Sequence, residues 1–364
     1  MKCLILKYFR IIIITNIVVA TSLLLAYLCC FINPSTIWWP ALFGLAYNYL
    51  LVANLCFSAF WVFSHKKICA VISAVAILTG LPFLGLNVQI FGKKIPDEKL
   101  SESFKVLSFN VQEFERRNMF QSDGKNPNIF DFFQKENADI VCMQEFVISR
   151  RRNNEISHVI KLHNMMPYSH IELASGSTGI ATFSKSPIIR NELIYNDETK
   201  NACMYSDIVT GNDTIRVYNV HLKSISFNTN EYRLLNNVVR KRYGRSDIRA
   251  GFSIFWRLKI AFIERAKQVE ILTSHIKQSP YPVIICGDFN DPPMSYCYRK
   301  VRGNLKDAFV ESGSVRSATI IVGHLVPLRI DYILYSDVFR AYSYESPRVR
   351  LSDHFPVMCR LVKK

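Results

Sequence analysis

Pro282-Val283-Ile284-Ile285-Cys286-Gly287-Asp288-Phe289-Asn290-Asp291 is the stretch whose reading decides the rest of the chain. Its four consecutive apolar residues read as a short strand buried on both faces. Gly287 lets the backbone turn sharply, and the turn delivers a carboxylate, an amide and a second carboxylate. Polar groups placed just past a buried strand are held still by it. Taken alone, the same residues also read as an ordinary Asp/Asn/Pro turn.

Working outward, similar strands recur with polar residues at their ends. Phe104–Val111 carries Asn110, and Asp139–Glu145 ends in Glu145. Further strands are expected at Gly179–Ser184, Ile188–Ile194, Cys203–Val209 and Ile215–Leu222, the last carrying His221. Ile330–Leu334 holds Asp331, and Asp353-His354 precedes an apolar run at Phe355–Cys359. Ile129–Glu136 and a long tract at 228–276 have helical spacing. Strand runs punctuated by helices predict packed sheets with helices outside. Each polar residue has a structural explanation by itself: Asn110 a strand cap, Glu145 a surface acid, His221 a satisfied core histidine. As a shared cluster they point to chemistry, because buried charges are costly unless paired or metal-bound.

The first ninety residues differ from this pattern. The chain of 364 residues is 49% hydrophobic, and the apolar excess is concentrated there. Ile11–Ile32 is uncharged and long enough for a span of about 20 residues. Trp39–Phe63 and Ile68–Phe91 are a second and third candidate, with Trp38, Trp39 and Trp61 at predicted interfaces. The first run is too long for a signal-peptide core and has no small-residue cleavage site after it. Lys2, Lys7 and Arg10 before it, with Lys66 and Lys67 between the next two, place the N-terminus in the cytoplasm and the later domain outside. With two spans instead of three, that domain would face the cytoplasm. Residues 1–92 are thus read as a membrane anchor, 93–103 as a linker and 104–364 as the catalytic domain.

The net charge of +16 favours an anionic partner: nucleic acid, a phospholipid surface or a phosphorylated substrate. The ten cysteines show no metal or disulfide spacing. Cys142, Cys286 and Cys359 sit in apolar runs and are expected to be small buried hydrophobes.

The blocks SFNV, MQEF, STGIATFSKSPI, YNVHL, CGDFND, RIDYILYS and LSDHFPV follow one another between Phe104 and Val362. In this order they resemble the endonuclease/exonuclease/phosphatase family, which includes DNase I-like nucleases, inositol polyphosphate phosphatases and neutral sphingomyelinases. The resemblance implies a four-layer α/β (α+β) sandwich of two packed mixed sheets flanked by helices, here preceded by about three transmembrane helices. It also implies a phosphoesterase site holding Mg²⁺ or Mn²⁺, with Glu145 as main ligand and Asn110 and Asp353 completing or supporting the shell. Asp288 resembles the residue that orients and deprotonates water, and Asn290 the one that steadies it or a phosphate oxygen; the residues themselves leave the water's proton to either Asp288 or His354. His354 resembles the phosphate-contacting histidine, Asp331 its orienting carboxylate, and His221 a second catalytic histidine.

The chain departs from the family pattern between His221 and Asp288. There Arg233, Arg240, Lys241, Arg242, Arg245, Arg249, Arg257 and Lys259 outnumber the acids, and Leu234, Leu235, Val238 and Val239 form an apolar face. This reads as a packed helix with a solvated basic side, or as an arm lying on a membrane. Arg150, Arg151 and Arg152 read either as a solvated loop or as part of an anionic substrate path. The expected activity is hydrolysis of a phosphodiester or phosphomonoester in nucleic acid, phospholipid or sugar phosphate, by a nuclease-like, multi-pass membrane protein without a protein partner. A lipid-headgroup phosphodiesterase and a non-catalytic scaffold for an anionic ligand are the alternatives.

Overall fold

Several strands after residue 103 are apolar at both parities, so each of their faces has to be covered. Two sheets packed together with helices outside satisfy this. The computed structural model has this arrangement; it describes residues 2–64, 66–114, 128–148, 160–173, 178–196, 201–225, 234, 245–315, 318–322 and 326–364. Arg150, Arg151, Arg152 and most of the first half of the predicted arm (226–233 and 235–244) lie outside the described residues.

By compactness the chain divides into two units, Met1–Asn87 with Asp291–Arg299, and Val88–Asn290 with Lys300–Lys364. In the first unit, α1 (Lys2–Leu28), α2 (Ala41–Leu45), α3 (Tyr47–Phe63), α4 (Lys67–Thr79) and α5 (Leu81–Leu84) follow one another. In the second, strands β1 (Phe104–Asn110) and β2 (Ile140–Val147) flank α6 (Ile129–Glu136) in the chain. Then come β3 (Tyr168–Leu173), β4 (Thr178–Ser184), β5 (Ile188–Asn196), β6 (Ala202–Thr210) and β7 (Asp213–His221). The helix α7 (Arg245–Lys277) leads to β8 (Val283–Asp288), and α8 (Tyr296–Arg302) crosses the unit boundary. The chain closes with β9 (Lys306–Asp307), α9 (Ala308–Ser312), β10 (Ile320–Val322), β11 (Val326–Leu328), β12 (Asp331–Tyr335), β13 (Phe339–Glu345) and β14 (Val357–Lys363).

One sheet has the order β13-β14-β1-β2-β4-β3 and the other β5-β6-β7-β8-β12-β9, while β10 and β11 form a separate ribbon. Both large sheets are mixed, with β1–β2 and β7–β8 parallel and their other pairs antiparallel. Between the sheets lie Val106, Cys142, Val217, Ile284, Cys286, Ile333 and Cys359. Cys142, Cys286 and Cys359 are therefore the small buried hydrophobes their surroundings predict, and all three are free thiols. Phe132 and Phe133 of α6 pack on Leu107, Phe109, Met143 and Phe146 outside the first sheet. Outside the second, His275 of α7 meets Tyr205 and hydrogen-bonds Tyr218 at 2.9 Å.

A buried amide pair joins the two sheets. Gln144 Nε2 of β2 donates to Asn219 Oδ1 of β7 at 2.7 Å, and Asn219 Nδ2 donates to the carbonyls of Met143 and Ala181. The connector read at 93–103 is also tied down at its start. Lys93 donates to the Ser312 carbonyl and accepts from Ser343 N, while Ile95 N donates to Ser343 Oγ.

The helical unit corrects the expectation of three spans. Among the described residues only Phe9–Leu28 is long and apolar enough to cross a membrane; α3 and α4 have 17 and 13 residues. The predicted second run breaks between α2 and α3 at Ala46, and the third stops at Gly80, before Pro82 of α5. In these helices Leu23, Tyr27, Tyr47 and Trp61 are buried, and polar side chains are buried with them. Asn16, Asn54 and Ser73 are buried, while Ile14, Val18, Leu55, Val62, Val71 and Leu78 are exposed. Ser73 Oγ donates to Asn16 Oδ1, and Asn54 Nδ2 to the carbonyls of Leu50 and Val19.

Residues Asp291–Arg299 pack within this helical unit. Cys29 Sγ donates to the Met294 carbonyl, Asn33 Nδ2 to Tyr296 Oη, and the Arg299 guanidinium lies 3.9 Å from the centre of the Phe31 ring. A Cβ on Gly44 would stand 2.2 Å from Met294 O, so this approach requires glycine. Gly44→Val is expected to destabilise the protein by about 1–3 kcal/mol, seen as a lower thermal midpoint in detergent. An unchanged midpoint would mean that the helices do not hold this segment.

Candidate active site

Strand parity assembles the site. Along β1, Val106, Ser108 and Asn110 face the opposite sheet; along β7 these are Ile215, Val217, Asn219 and His221. Along β8 they are Ile284, Cys286 and Asp288, and along β12 Asp331, Ile333 and Tyr335. Apart from Ser108 and Asn219, which Gln144 pairs, these strands carry apolar residues and Tyr335 inward until the rim, where the residue becomes polar. Register then brings the polar ends side by side. His221 pairs with Asp288 across β7–β8, and Asp288 pairs with Asp331 across β8–β12. The three sit in one row on the second sheet. A Cβ on Gly287 would lie 1.9 Å from the Val220 carbonyl, so glycine is needed for β8 to come this close to β7.

The first sheet contributes Asn110 and Glu145. The strand predicted to end at Glu145 continues to Val147, and Glu145 is the extra residue of a bulge between Gln144 and Phe146. Its φ is +50°, in the left-handed region that non-glycine residues rarely adopt. The bulge returns Phe146 to the outer core with Val141 and Met143. It also leaves the Glu145 side chain partly exposed, at 24%. Asn110 Nδ2 bridges the sheets by donating to Glu145 Oε1 at 3.2 Å and to Asp288 Oδ2 at 3.1 Å. Asn110 Oδ1 accepts from Gln112 N, so the described amide serves first as a donor between two carboxylates.

Asp288 is buried, and both its oxygens are held. Oδ1 accepts from Asn290 N at 2.8 Å and Oδ2 from Asn110. Asn290 itself has φ +52° and donates Nδ2 to the Leu222 carbonyl, tying the turn after β8 to the end of β7. Its nitrogen groups therefore fix Asp288 and the neighbouring loop.

Across the row, His354 Nδ1 meets Asp331 Oδ1 and Oδ2 at 3.2 and 3.0 Å, which leaves Nε2 facing Asp288 Oδ2 at 3.7 Å. Burial pushes the Asp331 carboxyl up to about 6, against the pull of the His354 charge. Burial opposes the charge on His354 as well, yet the carboxylates of Asp331 and Asp288 hold its pKa well above the usual histidine value. At neutral pH the pair is accordingly an imidazolium against a carboxylate. His221 Nε2 lies 3.7 Å from Glu145 Oε1 and 3.8 Å from Asp288 Oδ2.

Asp353 is half-buried; its backbone N donates to Gln112 Oε1 and its Oδ1 accepts from Ser352 Oγ. The sequence reading missed Gln112, which sits in a left-handed run from 112 to 114 just past β1. It also missed Thr319, whose Oγ1 accepts from the backbone of both Ile330 and Asp331. Arg265 and Gln268 of α7 were missed too. Gln268 Oε1 accepts from Lys223 N, and Arg265 Nη1 donates to the Lys223 carbonyl, which secures the loop after His221. The helical spacing of Arg265, Gln268 and Leu272 was a signal that this half of the tract packs and does not protrude.

Asp288, Asp331 and His354 can each turn a ligand atom to within 4.8 Å of the others. However, His354 and Asp331 already satisfy one another. Glu145 and Asp353 carry hard oxygen donors of the kind Mg²⁺ and Mn²⁺ take, and Asn110 hydrogen-bonds Glu145. A non-glycine residue held in the left-handed region costs about 1–3 kcal/mol, so Glu145 is retained at the expense of the fold. Glu145→Gly is expected to leave the stability unchanged or raise it by up to about 2 kcal/mol after the entropy of glycine is subtracted, read as an unchanged or higher thermal midpoint. A lower midpoint would make Glu145 a folding residue.

Residues 107–354 match the Endonuclease/Exonuclease/phosphatase family, and residues 9–86 match a domain of unknown function (DUF8431). No curated protein matches the chain. Among solved structures, truncated Caenorhabditis elegans TDP2 aligns with a TM-score of 0.50 at 16% identity, covering 72% of this chain and 98% of that one. D. rerio TDP2 complexed with single strand DNA product aligns at 0.51 and 13% identity, covering 71% and 98%. A Beutenbergia cavernae endonuclease/exonuclease/phosphatase aligns at 0.50 and 14% identity, covering 72% of each chain. These likenesses concern the fold. With the family match spanning most of the chain and the row of polar strand ends in place, the chain belongs to the endonuclease/exonuclease/phosphatase family of phosphoric ester hydrolases.

Proposed function

We propose that this protein is a membrane-anchored, divalent-metal-dependent phosphoesterase of nuclease-like chemistry. The observation that carries the reading is the row His221–Asp288–Asp331, closed by His354 and faced by Asn110 and Glu145. It combines an immobilised carboxylate, a cationic imidazolium and a second histidine at one rim.

Asp288 is the group that orients water and takes its proton, since Asn110 and Asn290 fix both of its oxygens. His354, kept charged by Asp331, presents Nε2 to a phosphate oxygen. His221 stabilises charge on the far side of the phosphorus or on the leaving oxygen. Asn290 and Asn110 position these groups. Mg²⁺ or Mn²⁺ would be held by Glu145, with Asp353 and Asn110 in support. Such an ion offsets phosphate charge and stabilises the leaving group.

The outward-facing apolar residues of the N-terminal helices support membrane anchoring, with Phe9–Leu28 as the span and the shorter helices packed beside it. With Phe9–Leu28 as the single span and the basic Lys2 and Lys7 before it kept in the cytoplasm, the catalytic domain would lie on the non-cytoplasmic side. The D. rerio TDP2 bound to single strand DNA product favours a nucleic-acid substrate. The helical unit favours a lipid headgroup instead.

The full chain in detergent, offered DNA, RNA, phospholipids and sugar phosphates, is expected to turn over one class with Mg²⁺ or Mn²⁺ and none after chelation. Asp288→Asn and His354→Ala should each lower kcat by at least about 100-fold. Turnover that survives both substitutions would overturn the mechanism, and turnover in chelator would overturn the metal requirement.

A further inference from the structure

Burial changes along α7. Ala261, Phe262, Arg265, Ala266, Val269 and Leu272 are buried, whereas from Arg249 to Ile260 only Ala250 is. In this first half Phe252, Trp256 and Ile260 are 65%, 54% and 53% exposed. They are four residues apart and therefore form one stripe about 12 Å long. Phe255, 40% exposed, lies beside it. A row of large apolar side chains on a helix marks a binding surface.

Charge identifies the occupant. Between Asp247 and Glu264 the helix carries Arg249, Arg257 and Lys259 and no acid. Lys259 Nζ lies 4.7 Å from the centre of the Trp256 ring, joining a cation to an indole at the edge of the stripe. An apolar stripe containing tryptophan and phenylalanine, with cations beside it, is complementary to the boundary between acyl chains and anionic headgroups. An apolar face for another protein would need no such uniform positive charge.

We propose that residues 249–260 form a membrane-docking segment. Phe252, Trp256 and Ile260 insert into the headgroup–acyl boundary of a bilayer containing anionic phospholipid, and Arg249, Arg257 and Lys259 lie among the phosphates. This contact is separate from the transmembrane span and from hydrolysis, and stands whether or not the protein is a nuclease. It would hold the second unit to the lipid surface by an element inserted between His221 and Asp288.

The test uses the full chain reconstituted in vesicles of phosphatidylcholine, with or without phosphatidylglycerol. A photoreactive benzoylphenylalanine replaces Phe252 or Trp256, and Val269 serves as the buried control. Vesicle flotation reports the anchor, and the photoadduct separately reports the arm. Lipid adducts are expected at 252 and 256 but not at 269, with higher yield when phosphatidylglycerol is present. Arg249→Glu combined with Lys259→Glu should reduce that yield by at least about fivefold. No lipid adduct in a floating preparation, or an adduct to a second copy of the chain, would overturn the proposal.

Discussion

A 2.7 Å hydrogen bond between the buried amides of Gln144 and Asn219 is the interaction on which the site depends. It crosses from one sheet to the other among apolar side chains, where an unmatched amide would cost about 1–3 kcal/mol. That penalty specifies which residue of β2 faces which residue of β7. Gln144 is also the register partner of Asn110 and precedes Glu145, while Asn219 lies two residues before His221. Fixing this contact therefore fixes where three site residues from two sheets arrive: Asn110, Glu145 and His221. Slipping either strand by one residue would place an apolar side chain against the amide and turn the polar ends away from the rim.

Most of this organisation is written in the chain at short range. Val283–Cys286 is apolar at both parities because it is a central strand, and Asp288 follows because the strand ends there. Asn110, His221 and Asp331 could be read the same way, as polar residues closing buried runs. What short-range reading lacks is register. The pairing of His221 with Asp288 and of Asp288 with Asp331 joins residues far apart in the chain, and only the folded sheet supplies it.

Other features were hidden for identifiable reasons. Glu145 ends an apolar run in sequence, but a bulge carries the strand past it, and nothing in MQEF marks the left-handed residue. Strands β3 and β13 escaped because edge strands need only partial burial and carry mixed side chains such as Ser169, His170, Arg340 and Ser343. The basic tract looked uniform because charge was counted along it. Burial divides it instead, with Arg265 and Gln268 holding the loop after His221 and residues 249–260 exposed. Hydropathy likewise merged α2 with α3 and α4 with α5, since an apolar turn is as hydrophobic as the helices it separates.

The stretch after β8 is where the chain leaves the second unit for a short segment of the first. Asp288 and Asn290 belong to the catalytic unit, but the next residue, Asp291, begins a segment that packs with the N-terminal helices. Met294 there receives the Cys29 thiol and rests on Gly44, where only glycine fits. A chain begun at Ser101 would keep every candidate site residue yet lose the surface that holds 291–299. The freed segment is covalently joined to Asn290, whose backbone N–H and side-chain amide fix Asp288 and the Leu222 loop. Catalysis depends on groups being held to a fraction of an ångström. The helices therefore hold the stretch of chain that continues directly from Asn290, and weak activity in such a truncation would not speak against the assigned residues.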